Sequence, residues 1–216
     1  MKPSDLFSEK MEPTLDRWVG QFSSTSELFT AIPQIFVTLK SQHILGTVED
    51  GAVLIGPVHV GAGSVVQSLA VIRGPAIIGN DTVVNSHAEI LPHCFIGSNC
   101  VVGHCCSIIG SMLMNNVVVW HAAFVRNSVI GFGCVVGPGA VLGAEKAALL
   151  KNPLASTEIG VVLGDHTAIG AESILRPGTI IGRRTVVGES VLTEGTHGSD
   201  QIVTASQQLE TKPRHG

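Results

Sequence analysis

An aliphatic residue recurs every sixth position from Val48 to Leu192, very often followed by glycine. Ile78-Gly79, Ile96-Gly97, Val102-Gly103, Ile130-Gly131, Val136-Gly137, Leu163-Gly164, Ile169-Gly170, Ile181-Gly182 and Val187-Gly188 mark the phase. The fifth place of each hexad is small or β-branched: Ala52, Val58, Ser64, Ala70, Ala76, Thr82 and Ala88, then Thr167, Ser173, Thr179, Thr185 and Val191. This is the hexapeptide signature of a parallel β-helix. Each hexad supplies one short strand and one turn, and three hexads make a triangular coil. The aliphatic first residues fill the prism. Glycine or a polar residue turns the corner, where positive φ is wanted. The pattern predicts an all-β solenoid over residues 46–192.

Two departures from the period divide the chain. The phase set at Val48 runs through Ile72, Ile90 and Ile108 to Met114, whereas Ile130, Val136 and Leu142 sit on a phase that runs back to Val118 and Phe124. Two residues are missing between Met114 and Val118. The bland account is a shortened corner; the functional one is a local loop at Asn115 to His121, where a site could be built. The second departure is residues 143–162, which carry Lys146, Lys151, Asn152 and Pro153. A long excursion from a strict solenoid is either a functional loop or a surface insertion.

The ends are different in kind. Residues 1–45 hold no hexads. Ser24 and Glu27 have the spacing of a capping box, and Leu28, Phe29, Ile32, Ile35, Phe36 and Leu39 follow helical spacing, with Pro33 as a kink or a new start. The expectation is a short N-terminal helical cap, anchored by Trp18, Phe22 and Phe29, on the open end of the prism; a partner-binding helix is the alternative. Residues 193–216 read as a polar tail in which Ile202 to Ala205 could add one strand.

Composition narrows the function classes. With a formal charge of −4 and a pI near 6.1 there is no basic footprint for nucleic acid or an acidic membrane. No apolar run reaches the roughly 18 to 20 residues of a membrane span, and the opening MKPSDLFSEK lacks the apolar core of a secretory signal. A cytoplasmic location follows as the expectation. Cys94, Cys100, Cys106 and Cys134 occupy the inward fifth place and read as reduced, buried small residues; Cys105 lies one place earlier, on the outward corner. Arg176, Arg183 and Arg184 read as corner residues free to meet an anion.

Residues at one place in successive coils lie above one another, about 4.8 Å apart. Counting with the phase slip puts His87, Cys105 and His121 in one outward column and His93, Ser111 and Asn127 in another. A His/Cys/His column has metal-ligand chemistry, as in a metal-dependent hydratase, but its outer members are two coils apart. The other histidines read as polar turn residues, and no metal site is assigned.

Residues 115–131, NNVVVWHAAFVRNSVIG, resemble a specific family: the C-terminal acetyltransferase half of the bifunctional enzyme that makes UDP-N-acetylglucosamine, and its relatives among sugar-phosphate nucleotidyltransferases. That family carries P/G-H-x-x-Y-x-G-D-S-x-I-G followed by N-x-G-A-G-T. Here the motif runs from Trp120 to Gly131 and the next coil from Val135 to Ala140. The resemblance extends to Trp18–Leu39, Gly74–Thr82 and Leu163–Gly182. It implies a left-handed β-helix, a homotrimer with sites between subunits, acetyl-CoA as co-substrate, and the amine of glucosamine 1-phosphate as acceptor. The nucleotidyltransferase half is absent from these residues, so pyrophosphorylase activity is not expected of them.

By this resemblance His121 is the general base, a role suited to an imidazole that must take a proton from an attacking amine. Phe124 and Asn127 fall at substrate-binding positions, where the family has Tyr and Asp. Pro138, Ala171 and Glu189 fall at CoA-contacting positions. Pro138 replaces the residue whose N–H faces the thioester carbonyl, and proline has no N–H to give. The family's basic residues for the sugar phosphate fall at Leu91 and Ile109, and Glu189 would repel a pyrophosphate. Two readings result: a CoA-dependent acyltransferase centred on His121, and a trimeric scaffold or sugar-nucleotide-binding protein in which the fold outlived the site.

Overall fold

The computed structural model describes residues 36–37, 39–143 and 160–205. Within them the hexads become twenty-six strands of two or three residues, from His43–Ile44 to Ile202–Val203. The strands stack into three parallel sheets of nine, nine and eight, and the chain visits the first, second and third sheet in turn. This is the parallel β-helix that the six-residue period predicts. The prism is longer than the hexad count suggests. His43–Ile44 already pairs with Val58–Val60, and Thr196–His197 and Ile202–Val203 carry the stack past residue 192. The expected helical cap lies outside the described residues up to Phe36, which is buried and meets the His93 ring edge-on at 5.8 Å.

The interior follows the sequence pattern place by place. Val66, Ile72, Ile78, Val84, Ile90, Ile96, Val102 and Ile108 are fully buried, as are Ile130, Val136, Leu142, Leu163, Leu175 and Ile181. Each such side chain removed from water contributes about 1.5–3 kcal/mol. The small fifth place also lines the interior, and its hydroxyls satisfy corner carbonyls that the prism would otherwise strand. Ser64 donates to the Gly79 carbonyl at 2.6 Å, Thr82 to Gly97 at 2.8 Å, Ser173 to Gly188 at 2.7 Å and Thr185 to Gly198 at 2.8 Å. The buried thiols do the same: Cys100 meets the Met114 carbonyl at 3.1 Å and Cys106 the Trp120 carbonyl at 2.9 Å. Burial pushes the Cys94 and Cys134 thiols up to about 12 and Cys100 to about 11. As the sequence implies, Cys105 alone of the five is exposed.

The phase slip is real but differently placed. Ile96 pairs with Leu113, and Leu113 with Ile130, each seventeen residues on, whereas Ile78 to Ile96 is eighteen. One residue is therefore lost between Ile108 and Leu113 and another between Val125 and Ile130, both at the corner from the third sheet to the first. Asn115 to His121 do not leave the prism. They are part of an ordinary coil in which Val119 and Val125 point inward, fully buried, while Val118 and Phe124 face out. The excursion departs from this same corner. Leu142 lies on the third sheet and Leu163 on the first, and the stems Gly143 and Gly160 are so close that a Cβ on Gly143 would stand 2.9 Å from the Gly160 Cα. The loop itself, residues 144–159, lies outside the described residues.

The three faces differ outside. The outward residues of the second sheet form an unbroken aliphatic column, Val65, Val83, Val101, Val118, Val135, Ala168, Val186 and Ile202. Val135, Val186 and Ile202 are exposed. Among the described residues no helix is long and apolar enough to cross a membrane.

Candidate functional site

The strand Val118–Val119 is the middle strand of the second sheet, and from it the chain turns through Trp120, His121 and Ala122 onto the strand Phe124–Arg126 of the third. The turn needs a left-handed residue, and Ala122 takes that place with φ 58°. Register fixes what lies above and below. Val119 pairs with Val102 on one side and Val136 on the other, and Val136 continues to Ile169 and Val187. Two residues beyond each stands one corner column: His104, His121, Pro138, Ala171, Glu189. The predicted base and all three predicted CoA-contacting positions thus share one edge of the prism, with Glu189 about 14 Å from His121 at about 4.8 Å per coil.

The column counts in the sequence need correcting by one residue, because the slip is single at this point. His87 and Cys105 are followed by Ala122, not His121; all three are left-handed corner residues. No His/Cys/His column forms, and among the described residues no group of three or more His, Cys, Asp or Glu could hold a metal ion. In the second column His93 continues through Gly110 to Asn127, while Ser111 is an inward residue beneath Cys94.

His121 is exposed and held on three sides. Its Nδ1 accepts the His104 backbone N–H at 3.0 Å. The two imidazoles lie 5.0 Å apart with a 31° tilt, and the Trp120 indole meets the His121 ring edge-on at 5.7 Å. The His104 Nδ1 is in turn 2.8 Å from the Ser86 hydroxyl. Trp120, 45% exposed, stands between Gly103 and Gly137 in the adjacent coils, where any Cβ would fall 2.7 Å from the backbone of the next coil. The backbone bond to Nδ1 has parallels at another corner. Asn80, Ser98, Asn115, Asp165 and Ser199 each accept the amide of the coil before at 2.9–3.1 Å. His121 therefore also serves as a coil-to-coil cap.

The remaining predicted residues divide between two edges. Phe124 is half-buried on the third sheet, between Ser107 and Val141. Asn127 stands at the far end of that strand, on the next corner, with φ 45°. Its carbonyl accepts the N–H of Gly160, a stem of the excursion, at 2.7 Å. The structure thus brings Phe124 beside the His121 corner and places Asn127 across the sheet from it. Pro138 is exposed, and the N–H that follows it, on Gly139, is used by the His121 carbonyl at 3.0 Å.

The basic residues read from sequence as free are not all free. Arg176 meets Glu194 at 2.8 Å, and Arg184 grips Asp200 through two bonds of 2.6 Å. The Arg184 hydrogen bond holds the Asp200 carboxyl below its usual range. Arg183 differs: its Nε is buried with no partner among the described residues. Sequence reading missed Arg126. It pairs with Ile109 and is 2% exposed, so a guanidinium lies one coil from Ile109 and two from Leu91, the positions where the resemblance places basic groups. The signal was available: it is the residue after the inward Val125, as Ile109 follows Ile108 and Leu91 follows Ile90.

The chain is similar to known proteins over part of its length. The chain is 27% identical over 122 residues to the bifunctional protein GlmU of Methanococcus vannielii, a stretch that is 52% of this chain and 29% of that protein. The bifunctional protein GlmU of Methanococcus maripaludis matches at 27% over 122 residues, 52% of this chain and 30% of that one. The chain thus spans under a third of the length of these curated relatives. Among solved structures, Arabidopsis UDP-N-acetylglucosamine acyltransferase has a TM-score of 0.49 at 16% identity, over 74% of this chain and 69% of that one. The family described as the GMPPB C-terminal domain matches residues 72–186. That span is more than half of the chain, which belongs to the GMPPB C-terminal domain family.

Proposed function

We propose that the chain catalyses CoA-dependent acyl transfer to the amine of an amino-sugar phosphate such as glucosamine 1-phosphate, within UDP-N-acetylglucosamine or cell-envelope precursor synthesis, with acetyl-CoA as the acyl donor and His121 at the centre of the site. The observation that carries this reading is the shared column. His121, Pro138, Ala171 and Glu189, all carried over from one resemblance, fall on one edge in register order. A pantetheine arm could follow such an edge across coils, with its thioester beside the His121 imidazole. Phe124, around the corner, would flank the acceptor. In this reading the protein is a cytoplasmic homotrimer. The aliphatic column of the second sheet and the exposed Trp120 supply surface that three-fold closure would bury in every copy at once.

A second reading, a trimeric scaffold or sugar-nucleotide-binding protein without catalysis, is favoured by specific features of this edge and of the two other corners. Pro138 has no N–H, Glu189 is an anion where a pyrophosphate would lie, and Arg176 and Arg184 are engaged with Glu194 and Asp200. Calorimetric titration with CoA, paired with sedimentation equilibrium, separates the two. The enzyme reading expects a trimer that binds CoA and binds it more tightly after Glu189→Gln. A trimer that takes up no CoA in either form would point to the scaffold.

A further inference from the structure

We infer that His121 acts as a hydrogen-bond donor through Nε2–H, meeting the oxyanion that forms on the acyl thioester, and not as the base that deprotonates the amine. The inference rests on the acyl-transfer reading and changes the role of its central residue.

The argument starts from an unambiguous donor. The His104 backbone N–H can only donate, and it points at the His121 Nδ1 from 3.0 Å. That nitrogen must therefore present its lone pair, and a neutral imidazole then carries its proton on Nε2. A base acting through Nε2 needs the opposite tautomer, with Nδ1–H facing an acceptor. Here Nδ1–H would face another N–H, and taking up a proton at Nδ1 would break the same bond. The ring is also fixed in place, with His104 at 5.0 Å on one side and the Trp120 edge at 5.7 Å on another.

The coil beneath gives the donor a purpose. Pro138 has no N–H, the Gly139 N–H is used by the His121 carbonyl at 3.0 Å, and the Ala140 N–H by the Gly137 carbonyl at 3.2 Å. The backbone from Pro138 to Ala140 therefore has no donor to aim at a thioester carbonyl on this corner, and the His121 imidazole N–H stands one coil away to do it. Neutral imidazole is a competent electrophile of this kind. In the step itself the amine nitrogen attacks the thioester carbon and the carbonyl electron pair moves onto oxygen, where Nε2–H bonds to it. The adduct collapses, the C–S bond breaks, and CoA leaves as thiolate. The proton lost by the amine passes through solvent at this exposed edge to the thiolate, so amine and acyl-CoA become amide and free CoA thiol.

Two measurements on the full chain test this. In nitrogen-15 NMR of the histidine side chains, neutral His121 should be in the Nε2–H form; the Nδ1–H form would overturn the inference whatever the activity. In thiol release from acetyl-CoA with glucosamine 1-phosphate, His121→Ala should lose about 100- to 1000-fold, the loss seen when one oxyanion donor is removed. His121→Gln, whose amide still donates but cannot accept a proton near neutrality, should stay within about tenfold of native. A Gln variant as inactive as the Ala variant, with both folded by circular dichroism, would restore the base. No release from the native chain would remove the acyl-transfer reading and the inference with it, and the NMR result would still report the tautomer.

Discussion

Pro138 lies one coil beneath His121 in the same corner column, placed there by the pairing of Val119 with Val136. The residue that the reaction would ask for an N–H is the one residue type that has none.

Replacing it is a direct probe. Pro138→Ala adds an N–H at the corner and removes one fixed φ, so it should cost at most about 1 kcal/mol of stability through the unfolded chain. If acyl transfer uses this edge, the added donor should raise the rate of thiol release by tenfold or more, toward the roughly 100- to 1000-fold worth of one oxyanion donor. An unchanged rate would place the reacting carbonyl elsewhere.

Gly103 guards the geometry from above. A Cβ there would stand 2.7 Å from the His121 nitrogen and 2.8 Å from the Trp120 carbonyl carbon, both backbone atoms that cannot swing away. Gly103→Ala should destabilise the chain by about 1–3 kcal/mol, as overpacking does, and should loosen the His104–His121 bond. Denaturant unfolding measures the first, and exchange of the His104 amide measures the second.

The five cysteines should divide sharply. Cys105 is exposed and the other four are buried. A disulfide reagent on the native chain should modify one thiol quickly, and Cys105→Ser should abolish that phase; unfolding should release the rest. Thiols held up near 11 to 12 in the fold remain neutral while the unfolded chain ionises near its usual value of about 8.5. Their contribution to stability is thus complete below about pH 8.5 and declines as pH rises toward their folded values. Unfolding midpoints taken from pH 7 to 10 should fall, and fall less for Cys134→Ala relative to its own value at pH 7.

The Arg184–Asp200 pair ties the last coils together, and its pH dependence has the opposite sign. Asp200 is held below its usual range by Arg184. Whatever the pair contributes is present above about pH 4, the unfolded value, and is lost as pH falls through the lower folded value. Exchange of the Asp200 amide, which donates to the Arg183 carbonyl at 2.9 Å, should be faster in Asp200→Asn than in the native chain at pH 6. The two should converge as pH falls below the lowered folded value.

The solenoid was legible because its period is written in residues that do one thing each. Ile78, Ile96 and Val102 could only be interior, and Ser64 and Thr82 are the sizes that fit the inner corner with a hydroxyl for a carbonyl. The site was harder, since a single lost residue shifts every later column. Placing both losses before Val118 aligned His121 with Cys105, whereas the register aligns it with His104. Where the chain regained a firm phase, at Ile130 and beyond, the sequence count and the structure agree, and Pro138, Ala171 and Glu189 fall in one line as the resemblance implies. Salt bridges such as Arg184–Asp200 join residues sixteen apart in a final coil that is two residues short, so hexad spacing did not disclose them.

The most direct test of the account is thiol release from acetyl-CoA in the presence of glucosamine 1-phosphate, native chain against His121→Ala. The account predicts release by the native chain and its loss in the variant, with both proteins folded. No release from a folded native chain that also fails to bind CoA would contradict it and leave the edge of His104, His121 and Trp120 as a structural corner of a scaffold.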